Sequence, residues 1–278
     1  MATLTGALVK TVVPSNGVHL TLEDVKANVI LSEDVHSCPT RVISLENTLN
    51  GMMMPLDEIR RISAFAREHG IKMHCDGARL WEAVAASEGA TLPDFCKEFD
   101  TVTLCFSKGL GAPVGSILVG TTAAMKHSRW TRKAMGGGMR QPGLLTAAAR
   151  VAVEETFGRK ADGSDGWLRR THELARRVEE MWTTRGGALV HPVHTNMVWV
   201  DLDSVGCPAD RFVELGKEEG LTLLGGRMVI HYQVAQRADE VLPRLERIFE
   251  QVSQQAKRRK VDGGGAKPVG QANMYETK

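Results

Sequence analysis

The chain has 278 residues, 42% of them hydrophobic, enough to build one large domain or two modest ones around a core. Its 35 Lys and Arg nearly cancel its 33 Asp and Glu, and no aromatics are interleaved with basic residues, which excludes the footprint of a nucleic-acid binder. Cys38, Cys75, Cys96, Cys105 and Cys207 are scattered, odd in number and free of C-x-x-C spacing, which argues against a disulfide framework or a metal site and suits a reducing compartment. The opening stretch MATLTGALVKTVVP has no apolar signal-peptide region, and no apolar run reaches membrane-spanning length. The chain therefore reads as a soluble, cytoplasmic globular protein.

In chain order, short apolar runs alternate with amphipathic stretches. Ala7 to Val12 reads as a first strand and Val42 to Leu45 as a second. Pro55 to His69 predicts a helix, with proline near its start and Gly70 just past its end. Ile71 to Cys75 is the next strand, followed by helical patterns over Gly77 to Glu88 and Thr91 to Phe99. Val102 to Phe106 and Ser116 to Val119 are further strands, and Thr122 to Met135 and Pro142 to Phe157 longer helices. Strand and helix in alternation imply an α/β domain with parallel strands and crossover helices, here residues 1–157. The polar, glycine-bearing segment 158–166 is the best internal boundary. A smaller α+β domain is expected over 167–255. It would hold a helix from Trp167 to Thr184, a strand from Asn196 to Leu202 and a helix from Ala209 to Glu219. A hairpin over Leu221 to Val234, pivoting on Gly225 and Gly226, would lead to a closing helix from Asp239 to Gln255. Residues 256–278, polar and glycine-rich, read as a disordered tail.

In open α/β sheets, ligands gather beyond the carboxyl ends of the strands. Two candidate strands carry charge there, one ending in Asp76 and the other running into Ser107 and Lys108. Lysine is seldom buried without a partner, and two readings stay open. One is a buried ion pair. The other is a Schiff-base site, in which an activated lysine captures a carbonyl and a carboxylate keeps a pyridinium nitrogen protonated, as pyridoxal phosphate requires. The run Gly109 to Gly115 fits neither a phosphate loop nor a dinucleotide fingerprint and reads as a tight turn into the next strand. Glycine there would also let a bulky ring approach the backbone. Arg79 is either a helix-surface residue or a bidentate grip for a substrate carboxylate. Lys133, Gly136 to Gly138 and Arg140 form either a glycine-rich helix break or a basic anion nest. His74 reads as a packed core histidine on the strand face opposite Asp76, and Met52 to Met54 as adaptable packing. Lys257 to Lys260 reads as a solvated helix end in preference to a nuclear address.

The stretches LENTLNG at 45–51, HCDGARLWEA at 74–83, LCFSKGLGAPVGSILVG at 104–120, RKAMGGGMRQPG at 132–143 and TNMVWVDL at 195–202 occur in this order. Together they resemble the threonine aldolase family, within the fold-type-I pyridoxal-phosphate enzymes, and its fungal members above all. The resemblance implies a large α/β domain with a mostly parallel sheet, a smaller C-terminal α+β domain, pyridoxal 5'-phosphate as cofactor, and a homo-oligomer, dimer or tetramer. It implies that Lys108 forms the Schiff base as the catalytic residue and that Asp76 pairs with the pyridine nitrogen. Arg79 and Arg227 would bind the amino acid's carboxylate. Lys133, as a substrate contact, and Arg140, as a cofactor contact, would reach toward the cofactor phosphate or active site of a neighbouring subunit. The implied reaction is retro-aldol cleavage of a β-hydroxy-α-amino acid, such as threonine or allo-threonine, to glycine and an aldehyde. Amino acid racemases on the same scaffold are the neighbouring alternative.

Two departures accompany the resemblance. Leu49 departs from the family members that have histidine at this point. Members also have a substantial segment before the part matching Leu4 to Leu8, which supplies a phosphate cradle, a histidine stacked on the pyridine ring and an interface arm. The expectation is therefore an incomplete large domain lacking two strands, one between Ala7–Val12 and Val42–Leu45 and one beside Ser116–Val119. A catalytically impaired fragment, or a partner subunit of a full-length homologue, is the reading this leaves beside the enzyme.

Overall fold

The computed structural model describes residues 2–158 and 166–261. The segment read as a linker falls largely outside these residues, as does the part of the tail beyond 261. Packing divides the chain into two compact units, Met1–His172 and Glu173–Lys278.

The first unit holds α1 (Ala2–Thr5), α2 (Leu22–Asn28), β1 (Val42–Glu46), α3 (Leu56–Glu68), β2 (Lys72–Gly77), α4 (Leu80–Ala86) and α5 (Leu92–Cys96). β3 (Thr101–Cys105), β4 (Ser116–Gly120), α6 (Thr122–Ala134) and α7 (Gly143–Ala152) follow, the last continuing into a π-helical turn at Val153–Phe157. The strands form one sheet in the order β1-β2-β3-β4. β1, β2 and β3 are parallel, joined through α3 and through α4 and α5. β4 is antiparallel to β3. The connection at 106–115 carries no helix, and a parallel return needs a crossover of about a dozen residues or more, so β4 can only come back as a hairpin.

Alternation along the strands decides what each face does. Ile43 and Leu45, Met73 and Cys75, and Val102 and Leu104 point into the core, where α3 contributes Ile59, Ile62 and Ala66. The other face carries Glu46, His74, Asp76 and Thr101 and is more open. His74 therefore shares a face with Asp76, because residues two apart on a strand point the same way. The expected opposite-face core histidine is corrected on that ground. Helix α3 ends as its sequence suggests. Gly70 takes φ +64°, and the amide of Ile71 reaches back to the carbonyl of Ala66 at 2.8 Å, closing the helix directly before β2.

Ala7 to Val12 is not a strand. Leu8 is 75% exposed, and in the described residues β1 pairs only with β2, so the segment has no ladder to join. Sequence reading also missed α2, whose Thr21 and Asp24 form a capping box.

The second unit contains most of α8 (Trp167–Thr183), β5 (Ala188–His191), β6 (Met197–Asp201), α9 (Ala209–Glu218), β7 (Arg227–Val229), α10 (Tyr232–Gln236) and α11 (Ala238–Val261). Its sheet is antiparallel, in the order β5-β6-β7. Trp182, Phe212 and Phe249 fill the core, and the Trp182 indole donates to the carbonyl of Ala188 at 2.6 Å. The hairpin expected over Leu221 to Val234 does not form. β7 pairs with β6, only an isolated bridge joins Leu224 to Gly226, and residues 232–236 are helical. The closing helix continues through residues 256–261, which the sequence assigned to a disordered tail.

Candidate active site

Parallel pairing brings the carboxyl ends of β1, β2 and β3 to one edge of the sheet. Glu46 is the register partner of Asp76, and Asp76 that of Thr103, two residues before β3 ends. Lys108 is exposed in the turn just beyond β3, and Arg79 is half-buried at the start of α4. Glu46 reports on all three neighbours. Burial first and Asp76 second push its carboxyl above the ordinary 4.5, while Lys108 and Arg79 pull it down. Asp76, Arg79 and Lys108 thus share one electrostatic neighbourhood, with Glu46 as a fourth member that sequence reading did not single out. The rule that picked Asp76, a charge at a strand's carboxyl end, would have found it. The expectation of a buried lysine is corrected: Val102 and Leu104 of the strand before it are buried, but Lys108 itself is exposed.

Local bonds hold these groups in place. The Asp76 carboxylate accepts from the amide of Ala78 at 3.1 Å, and its carbonyl accepts from the amide of Asn47 at 3.1 Å. The buried Asn47 amide clasps Met54 on both sides, donating to its carbonyl and accepting from its N–H, each at 3.2 Å. The 47–54 loop is thereby pinned beside the site. His74 bonds Thr101 Oγ1 through Nδ1 at 2.9 Å, and burial lowers its pKa against the upward pull of Asp76. Cys75 lies on the core side, and burial pushes its thiol up to about 12, so it is no nucleophile.

The turn after β3 is tightly built. The Gly111 amide donates to the Lys108 carbonyl at 2.8 Å, and Ala112 donates to Phe106 at 2.9 Å. Gly111 and Gly115 adopt φ of +79° and +111°, so the glycine-rich run is a turn that needs glycine.

The remaining sequence-predicted residues lie elsewhere. Lys133 and Arg140 line a cavity of about 520 Å³ together with Arg129 and Arg132. No anion nest forms at Gly136 and Gly137, whose amides turn back onto the carbonyls of Lys133 and Arg132 and close α6. Arg227 belongs to the second unit, where it opens β7 with its guanidinium over the Trp199 ring at 5.5 Å. Among the described residues no cluster of His, Cys, Asp and Glu could hold a metal ion, and no helix is long and apolar enough to cross a membrane.

Residues 1–204 match the sequence profile of the beta-eliminating lyase family. The chain belongs to this family. The chain is 48% identical to the aldolase vrtJ of Penicillium aethiopicum, over 91% of its own length and 62% of that relative. It is 45% identical to the alanine racemase TOXG of Cochliobolus carbonum, over 86% and 61%. It is 41% identical to a low-specificity L-threonine aldolase of Candida albicans, over 86% and 62%. The chain thus spans about six-tenths of the length of these relatives. Among solved structures, a threonine aldolase of Leishmania major superposes with a TM-score of 0.69 at 20% identity, covering 91% of this chain and 72% of that one. The fold is that of the fold-type-I pyridoxal-phosphate enzymes, and the family's cofactor is pyridoxal 5'-phosphate. The donor set at the sheet edge fits it: an amine to meet its aldehyde and a carboxylate one strand away to meet its ring nitrogen.

Proposed function

We propose that this lyase is a pyridoxal-phosphate enzyme of threonine aldolase type, cleaving β-hydroxy-α-amino acids such as threonine and allo-threonine to glycine and an aldehyde. The observation that carries the reading is the placement of Lys108, Asp76, Arg79 and Glu46 in one neighbourhood at the carboxyl edge of a parallel sheet. Identity of 41% to a low-specificity L-threonine aldolase supports the substrate class.

Pyridoxal phosphate, when bound, supplies the electron sink that lets a bond at the amino acid's α-carbon break. Lys108 would hold it covalently through Nζ and would supply an amine able to carry a proton at the site. Asp76 would face the ring nitrogen with its carboxylate and so favour the protonated ring. Arg79 would fix the substrate carboxylate as a planar fork, helped by Arg227. Lys133 would act as a further substrate contact and Arg140 as a contact to the cofactor phosphate, within a cytoplasmic homo-oligomer that consumes threonine and forms glycine.

The racemase reading has its own support in the 45% identity to an alanine racemase. Both readings begin at Lys108 and part at the bond broken. The test is direct. The purified chain is given pyridoxal phosphate and scanned for visible Schiff-base absorbance, with Lys108→Ala as control. Absorbance that the variant loses is the expected result. Glycine and aldehyde released from threonine then support the aldolase, and racemised alanine without cleavage supports the racemase. A folded wild-type chain without absorbance overturns both.

A further inference from the structure

Beneath the turn that carries Lys108 lies a buried glutamate–histidine pair that the reaction does not use. Glu82, on α4, is 1% exposed and its Oε2 lies 2.6 Å from Nε2 of His172, itself 2% exposed. The other oxygen, Oε1, is buried without a hydrogen-bond partner among the described residues. It faces the backbone of Gly109, the residue directly after Lys108. A Cβ at Gly109 would overlap Oε1 and stand 2.9 Å from the Glu82 carboxyl carbon and 3.2 Å from a methyl of Leu168. Leu168 and His172 are four residues apart on α8 and so share one face of it. One residue further along the turn, the carbonyl of Leu110 accepts the buried hydroxyl of Thr156 at 3.1 Å.

Such a pair is a poor way to fill a core. A buried carboxylate oxygen without a donor is costly, and apolar side chains of similar size serve stability as well or better. Its geometry supplies what a core residue would not. The carboxylate is rigid because His172 holds one oxygen, and the other sets how closely the Gly109 backbone can approach. A lysine has a long, flexible stem, so the placement of its amine depends on a fixed Cα, and small displacements at a reacting group are expensive.

We propose that Glu82 and His172 are positioning residues for Lys108: a locked carboxylate on which the Gly109 backbone rests, setting the height of the cofactor lysine. The proposal builds on the reading of Lys108 as that lysine. It explains why glycine must follow the lysine at a position where backbone conformation does not demand it, since Gly109 is absent from the residues with positive φ.

The test compares wild type, Glu82→Gln and Gly109→Ala. Two quantities are read: amide hydrogen exchange of the 107–112 turn without cofactor, and the fraction of Lys108 trapped by pyridoxal phosphate and borohydride, from the mass of its peptide. Both variants should speed exchange in the turn by at least about tenfold while β1 and β2 stay protected, and both should trap less at Lys108. Unchanged exchange in the turn with wild-type trapping overturns the proposal. So does exchange that rises evenly through the unit with wild-type trapping in the folded fraction, the mark of a merely structural pair. If Glu82→Gln does not fold, Gly109→Ala decides alone, because it keeps both Glu82 and His172 in the chain and disturbs only the contact between Oε1 and the turn. If the wild-type chain traps nothing while the variants still loosen the turn, the support stands and the cofactor reading of Lys108 falls.

Discussion

Glu46 and Asp76 are carboxylates on register-paired residues of neighbouring strands, and like charges so placed resist simultaneous ionisation. The consequence for stability can be worked out in sign. Burial and Asp76 raise the folded-state value of Glu46 above the ordinary 4.5, so the folded protein holds that proton more tightly than the unfolded chain does. The contribution to stability is fully present below the unfolded value and is lost as pH rises through the raised one. Glu46→Gln should remove this loss, and urea midpoints measured from pH 4 to pH 8 should fall less in the variant than in wild type. An identical slope would show that Glu46 does not titrate abnormally. The same residues show what was legible at this scale. Asp76 and Lys108 were visible because charge at a strand's carboxyl end is a local pattern. Glu82 and His172 were not, because their partnership spans 90 positions and depends on where α8 lands. The face of His74 follows from the two-residue period of the strand, which puts it beside Asp76.

At the scale of elements, the site depends on α3 delivering β2 in register. The helix was legible from its ends, since proline at the start and glycine just past the last turn are signals with a mechanism. Ala7 to Val12 and Leu221 to Leu224 carry equally good strand composition, yet neither becomes a strand. A strand needs a partner for its amides and carbonyls, and partners are assigned by the sheet, not by composition. Gly70 tests the delivery of β2. Its φ is +64° and a Cβ there would meet nothing within 4 Å, so substitution costs backbone strain alone. Gly70→Ala should lower stability by about 1 kcal/mol and Gly70→Asn by less, because asparagine tolerates the left-handed region better. Equal losses in denaturant unfolding would mean that side-chain bulk, not conformation, is what matters at this turn.

For the whole molecule, the informative feature is apolar surface left in water. In the described residues α6 buries none of its side chains, Trp130 is 71% exposed, and Leu144 on α7 is 91% exposed. Met135 and Met139 between these helices are more than half exposed as well. Isolated apolar residues on a surface need no explanation, but this many on successive elements mark an association surface. The proposed homo-oligomer accounts for it without any further component. Sedimentation velocity should then show association that strengthens with protein concentration. Leu144→Lys should weaken it by at least about tenfold, since a lysine ammonium must be desolvated wherever Leu144 is covered. Leu144 makes no part of the buried core, so at concentrations too low for association the variant should keep the wild-type unfolding midpoint. A chain that stays monomeric at every concentration would overturn the homo-oligomer and leave the exposed face of α6 and α7 to a different occupant. If association persists unchanged in the variant, the contact lies elsewhere on the molecule, and the cavity lined by Arg129, Arg132, Lys133 and Arg140 would not be brought to a neighbouring subunit's active site in the way the site assignment requires.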